Sequence, residues 1–92
     1  MLALIVTNYV KEENITAFLE VSRAHAAKSL AIDAGCIRFD VCAPCGDEVM
    51  YIEIWEDEES LAKHAERGNT AIEIEQICNL RYDKKMDKRD II

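Results

Sequence analysis

Two segments of the chain are apolar on both faces of an extended strand, and this feature constrains the fold most. Residues 2–9 form a dense apolar run of strand length that is rich in β-forming side chains. Residues 49–55 place three aliphatic side chains on one face and two aromatic ones on the other, namely Met50, Ile52, Ile54, Tyr51 and Trp55. Because helices on one side of a sheet cover only one face, the second face of these strands needs another partner.

A long amphipathic helix is predicted after the first strand. Asn14 fits its N-cap, and Gly35 is placed to end it. A spacing of three and four residues defines its inward face, which consists of Ile15, Phe18, Leu19, Ser22, His25, Ala26, Ser29 and Leu30. Residues 37–41 then alternate apolar and charged side chains, which predicts a half-buried strand, and residues 43–47 form a turn around the only proline.

The C-terminal half predicts a broken helix and a final strand. Asp57 or Ser60 caps the first helical segment, and Gly68-Asn69 interrupts it. The inward faces of the two segments consist of Leu61, His64 and Ala65, and then of Ala71, Ile74, Ile77 and Cys78. Residues 84–92 read as a charged strand ending in two isoleucines.

The resulting element order is β-α-β-β-α-β. We therefore predict a single domain over residues 1–92, with an α+β, ferredoxin-like fold of one antiparallel sheet and helices on one side. Exposed apolar faces of this extent mark interfaces, and symmetric pairing of two copies is the commonest solution. The sequence therefore predicts a homodimer in which the uncovered faces of two sheets pair.

Charge and cysteine content limit the partners and the compartment. A formal net charge of −7 argues against nucleic acid, because phosphate binding requires a basic surface. No stretch approaches the roughly 18–20 apolar residues that span a bilayer, so we predict no membrane partner. Residues 1–6 lack the flanks of a signal peptide, and we expect the four cysteines to be reduced thiols of a cytoplasmic protein.

Three motifs connect these elements to a known family. The pattern Gly-Cys-x-Arg-Phe-Asp at residues 35–40, then Glu-x-Trp-Glu within residues 51–57, then Leu-x-x-His ending at His64, resembles the antibiotic biosynthesis monooxygenase family of dimeric α/β barrels. The resemblance covers nearly the whole chain. It implies that two sheets pair into a dimeric α/β barrel, and that the reaction uses neither a cofactor nor a metal ion.

The branches of this family differ at a few positions. Haem-degrading members resemble the chain at Asn8, but they carry a tryptophan in place of His64 and a histidine near Ile74, so haem breakdown is not expected. Monooxygenase and isomerase members commonly have a histidine at the position of His64. Many also have a Pro-His pair where this chain reads Gly68-Asn69, which leaves the role of a second histidine open.

Three polar residues on the predicted inward faces are candidates for catalysis. His64 is a candidate general base, since an imidazole pKa of about 6.5 lies near working pH. His25 lies between Ser22 and Ser29 and fits one wall of a pocket, while the amide of Asn8 could hold a substrate oxygen. Each has a structural alternative, namely a buried histidine bonded to a backbone carbonyl, a hydrated helix surface and a strand-end cap.

Tyr51, Trp55 and Arg38 are the candidate substrate-binding residues. The two aromatic side chains either pack a dimer interface or form an apolar wall for a planar substrate. Arg38 shares a strand face with Asp40 and could pair with it or across the interface. The lone Cys-x-x-Cys at residues 42–45 reads as turn thiols, a redox pair or half of a metal site.

The leading hypothesis is a cofactor-independent monooxygenase that acts on a small aromatic quinol. One alternative is an isomerase of a small phosphorylated dione, in which the basic C-terminal residues bind the phosphate. The other alternative is a non-catalytic dimeric barrel that serves as a ligand-binding or stress module. No flavin or nucleotide fingerprint is present in the sequence, which agrees with the first hypothesis.

Overall fold

In the computed structural model, which describes residues 1–68 and 71–92, a four-stranded antiparallel sheet packs against helices. The elements are β1 (Leu2–Val10), a 3-10 turn (Glu12–Asn14), α1 (Ile15–Ile32), β2 (Cys36–Val41), β3 (Glu48–Trp55), α2 (Glu58–Gly68), α3 (Ile72–Leu80) and β4 (Arg81–Asp90). The strand order is β2-β3-β1-β4, which confirms the predicted ferredoxin-like α+β fold. Within these residues, no helix combines the length and hydrophobicity needed to cross a bilayer.

The two central strands, β1 and β3, bury every second side chain. The helix-covered face consists of Leu2, Leu4, Val6, Asn8, Val10, Val49, Tyr51, Glu53 and Trp55, all of which are buried. The opposite face, called the open face below, includes Ala3, Ile5, Thr7, Tyr9, Met50, Ile52 and Ile54, none of which is fully buried. The open face is the second apolar face that the sequence predicted, and no described element of the chain covers it.

Several predicted details are wrong. Leu30 is 47% exposed and does not belong to the inward face of α1. Asn14 occupies the N-cap position of α1 as predicted, although its side chain makes no capping hydrogen bond. Ile37 is 50% exposed, because a register shift between Cys36 and Arg38 interrupts the alternation of β2. The last strand begins at Arg81 instead of residue 84.

Gly35 brings the end of α1 close to the start of α2. Its φ of +85° lies in the left-handed region, and a Cβ built there would come within 2.1 Å of the Ser60 Oγ. Asp57 accepts hydrogen bonds from the Ser60 N–H and Oγ, both at 2.8 Å, which confirms Asp57 as the cap of α2. This close packing places Asp33, the residue after α1, within reach of α2.

The predicted break in the second helix falls at Gly68, the last residue of α2, and Asn69 lies outside the described residues.

Candidate active site

A cavity of about 290 Å³ lies between the sheet and helices α2 and α3. About half of its lining residues are apolar, and these come mainly from β1, α2 and α3. The polar and titratable side chains that reach it are His25, Tyr51, Glu53, His64, Cys78, Arg81 and Lys84. A concave, mainly apolar pocket with a few converging polar groups is the usual form of a small-molecule site.

His64, on α2, is held by the carboxylate of Asp33. The distance from the His64 Nδ1 to the Asp33 Oδ2 is 2.6 Å. Arg67 donates to the same carboxylate through Nε at 2.6 Å and Nη2 at 2.8 Å. Burial alone would raise the pKa of Asp33, but the hydrogen bonds from Arg67 and His64 outweigh it and hold that pKa at about 2.

An ionised Asp33 accepts hydrogen bonds only, so the His64 Nδ1 carries the proton that it donates. The other ring nitrogen, Nε2, is then left as a proton acceptor when the ring is neutral. A carboxylate in this position also stabilises the imidazolium that forms when Nε2 takes up a proton. Asp33 therefore fixes the orientation of the His64 ring and leaves its Nε2 atom able to act as a base.

His25 lies beside His64 in a more apolar environment. The two ring centroids are 5.2 Å apart, and the Trp55 ring lies 4.6 Å from that of His64. The His25 Nδ1 is buried, lies 3.7 Å from the Glu73 Oε1, and has no hydrogen-bond partner among the residues described. Burial, assisted by His64, lowers the pKa of His25 to about 4, so this ring is neutral near neutral pH.

Glu53 is a buried carboxyl group that lines the same cavity. Its side chain is 3% exposed, and its Oε1 accepts a hydrogen bond of 2.9 Å from the Trp55 Nε1. Burial raises the pKa of Glu53 to about 7, although the Trp55 N–H acts in the opposite direction. Glu53 lies between Tyr51 and Trp55 on one buried strand face.

Asn8 does not line the cavity, but it orients a residue that does. Its Nδ2 donates to the Val49 carbonyl, and its Oδ1 accepts from the Arg81 Nη1, both at 2.9 Å. The amide is fully buried with both ends bonded to the protein. Arg81 and Lys84 reach the cavity from β4 and form no salt bridge with any described carboxylate.

The profile of the antibiotic biosynthesis monooxygenase family matches residues 1–69, which is 69 of the 92 residues. The chain belongs to this family. Membership confirms the resemblance seen in the motifs around Gly35, Trp55 and His64, and it supports a monooxygenase type of function in general terms. A search of curated proteins finds no match.

Solved structures of similar proteins share the fold over almost their whole length. A conserved protein of unknown function from Bacteroides thetaiotaomicron is 27% identical, with a TM-score of 0.79 and coverage of 98% of this chain and 96% of that one. A protein from Nitrosomonas europaea that bears the family's name is 20% identical, with a TM-score of 0.83 and coverage of 100% and 99%. The protein PA3566 from Pseudomonas aeruginosa is 23% identical, with a TM-score of 0.80 and coverage of 99% and 93%.

In this member of the family, the predicted substrate-binding residues lie in two places. Tyr51 lines the cavity, and its hydroxyl is 2.5 Å from the Ser22 Oγ; burial raises its pKa to about 12. Trp55 contacts His64 from the helix-covered face, and both aromatic side chains are buried on that face and not on the open face. Arg38 pairs with Asp40 at 2.5 Å on the open face, away from the cavity.

The cysteines are free thiols in the structure. Cys42 is half-buried and Cys45 exposed, at the turn before β3. In residues 1–68 and 71–92, no three His, Cys, Asp or Glu side chains are grouped as metal ligands.

The structure brings together His64, His25, Tyr51 and Trp55 from the predicted set, and adds Asp33 and Glu53, which sequence reasoning missed.

Proposed function

We propose that this chain is a cofactor-independent monooxygenase that acts on a small aromatic quinol bound in the cavity. The observation that carries the proposal is the His64–Asp33 pair, in which an ionised carboxylate orients an imidazole at the wall of a mostly apolar pocket. A planar aromatic substrate suits the wall supplied by Tyr51, which lines the cavity, while Trp55 packs behind His64.

In the proposed reaction, the protein supplies a base held in a fixed orientation and a cavity that holds the substrate beside it. The His64 Nε2 removes a proton from a substrate hydroxyl, and Asp33 stabilises the resulting imidazolium. The substrate anion then transfers electrons to dioxygen and forms a bond to one oxygen atom. When the O–O bond breaks, that atom stays on the substrate, and the other leaves as water with two hydrogens that the substrate supplied.

An isomerase of a small phosphorylated dione is the second candidate. The observation that favours it is the position of Arg81 and Lys84 at the cavity, because two cations without a carboxylate partner in the described structure suit a phosphate group. Asn8 fixes the guanidinium of Arg81 for such a contact. Here His64 would move a proton between carbons of the substrate, without any need for oxygen.

An oxygen electrode distinguishes these candidates. We expect the purified protein to consume oxygen with a naphthoquinol at a rate well above that of the quinol alone in the same buffer. Turnover of a phosphorylated dione without oxygen uptake would instead support the isomerase. If the protein catalyses neither reaction, the remaining hypothesis is a non-catalytic ligand-binding module.

The proposal includes a homodimer formed through the open face. Ile5, Ile52 and Ile54 form its centre, and burying such side chains contributes about 1.5–3 kcal/mol each. We expect Ile52→Asp to convert the dimer to a monomer in light scattering, because an unpaired charge would be buried at the interface. Ile72→Asp is the matched control, since Ile72 is 73% exposed on α3. A wild-type protein that is monomeric at micromolar concentration contradicts this part of the proposal.

A further inference from the structure

We propose that Glu53 is a second proton-transfer residue of this cavity, exchanging a proton with a substrate hydroxyl through its Oε2 atom. The inference rests on the proposed function in one respect only, namely that the substrate binds in this cavity. It extends that function by assigning a role to a carboxyl group that the proposed reaction leaves unused. It also gives a reason why the substrate should carry two acidic hydroxyl groups.

The surroundings of Glu53 lack the features of a structural ion pair. Its cross-strand neighbours on the helix-covered face are Leu4 in β1 and Phe39 in β2, both buried and apolar. No described Lys, Arg or His side chain forms a salt bridge with it. A buried carboxyl group without a cation is expensive in its charged form, so stability alone gives no reason to keep it.

The hydrogen bonding of Glu53 leaves one oxygen for a ligand. The Trp55 N–H occupies Oε1, and Oε2 has no hydrogen-bond partner in the described part of the chain. The same indole lies against His64, so Trp55 holds the carboxyl group in place and contacts the ring of the proposed base. Burial keeps the pKa of Glu53 at about 7, where the group can both accept and return a proton.

Other titratable groups face Glu53 from each element that surrounds the cavity. They are His25 on α1, His64 on α2, Cys78 on α3, Arg81 and Lys84 on β4, Tyr51 on the same strand and Cys36 on β2. His25 is neutral near pH 7, and burial raises the pKa of Tyr51 to about 12 and that of Cys36 to about 11. Glu53 is therefore the buried group in this set whose pKa lies near neutral pH.

Two proton carriers match the stoichiometry of a substrate with two acidic hydroxyl groups. The substrate loses one hydroxyl proton to His64 and one to Glu53, and its dianion reduces dioxygen and forms one C–O bond. Both protons return as the O–O bond breaks, so that the distal oxygen leaves as water. The reactants are one diol and one dioxygen, and the products are one oxygenated ketone and one water. The inference therefore predicts aromatic or enolic diols over mono-hydroxyl substrates.

Glu53→Gln tests the role with little change in shape, because the amide oxygen still accepts the Trp55 N–H. With a naphthoquinol, we expect kcat to fall by about 10²–10⁴-fold, and the ionisation near pH 7 to disappear from the pH profile of kcat/KM. Glu56→Gln, at the exposed residue that follows the same strand, is the control and should keep both. A Glu53→Gln enzyme with the wild-type profile and a kcat within a few-fold of wild type would overturn the assignment.

A second measurement separates this inference from the proposed function. Anaerobic calorimetry of naphthoquinol binding at pH 7, in two buffers of different ionisation enthalpy, counts the protons exchanged on binding. Because about half of Glu53 is protonated at pH 7 and only its ionised form can accept the hydroxyl proton, we expect binding to release protons to the buffer in the wild type but not in Glu53→Gln, even if oxygen uptake is absent and the monooxygenase proposal fails. Binding without proton exchange in the wild type, or no binding at all, overturns the role of Glu53.

Discussion

Replacing His64 with asparagine should lower kcat on a naphthoquinol by about 10²–10⁴-fold, which is the usual contribution of a general base. The asparagine amide can still donate to Asp33 in place of the His64 Nδ1, so the hydrogen bond of 2.6 Å has a substitute and α2 keeps its position. What is lost is the Nε2 lone pair that accepts the substrate proton. Steady-state oxygen uptake measures the effect.

The adjacent residue provides the control for this experiment. Lys63→Asn introduces the same side chain into the same helix at a position that is 68% exposed, with only a surface pair to Glu59. We expect this variant to keep wild-type kcat, and both variants to unfold at similar temperatures. If His64→Asn also retains full activity, His64 is a structural histidine and the proposed mechanism is wrong.

The second large effect concerns how the free energy of unfolding depends on pH. Between pH 4.5 and about 7, folded Glu53 holds a proton that the unfolded chain releases, so Glu53 makes stability fall as pH rises. Between about pH 4 and 6.5, folded His25 stays neutral while the unfolded chain takes up a proton, so His25 makes stability rise with pH. Each slope is about 1.4 kcal/mol per pH unit, and the two nearly cancel between pH 4.5 and 6.5.

Single variants should reveal each slope separately. The unfolding free energy of Glu53→Gln minus that of wild type should increase with pH between 4.5 and about 7, by roughly 3 kcal/mol in total, and then level off. The corresponding difference for His25→Asn should decrease with pH between about 4 and 6.5. Urea titrations at half-unit pH intervals measure both. Differences that do not change with pH would show that neither group is perturbed by burial.

The sequence predicted the sheet well because its signals are local and repetitive. Dense runs of β-forming side chains mark β1 and β3, and Gly35 and Asp57 mark where helices end and begin. The misplaced details have long-range causes. The register shift beside Cys36 exposes Ile37, and the start of β4 at Arg81 depends on pairing with Val10, some seventy residues earlier in the chain.

The candidate site was less predictable than the fold. His64 and His25 could be found from helical spacing, because a polar residue on an inward face is conspicuous. Asp33 lies just beyond a helix and becomes important only when the turn at Gly35 brings it to α2. A glutamate in a strand is usually exposed to solvent, and the burial of Glu53 depends on α2 and α3 covering that face of the sheet. A site made of such residues can be recognised only from the tertiary structure and not from local sequence patterns.

Labelled dioxygen tests the central claim most directly. When a naphthoquinol turns over under ¹⁸O₂, we predict one labelled oxygen atom in each product molecule and one in water, detected by mass spectrometry of the product and of the solvent. Incorporation should disappear with His64→Asn and persist with Lys63→Asn. Enzyme-dependent oxygen uptake that yields hydrogen peroxide and an unlabelled quinone would show an oxidase, and would contradict the assignment of this cavity as a monooxygenase site.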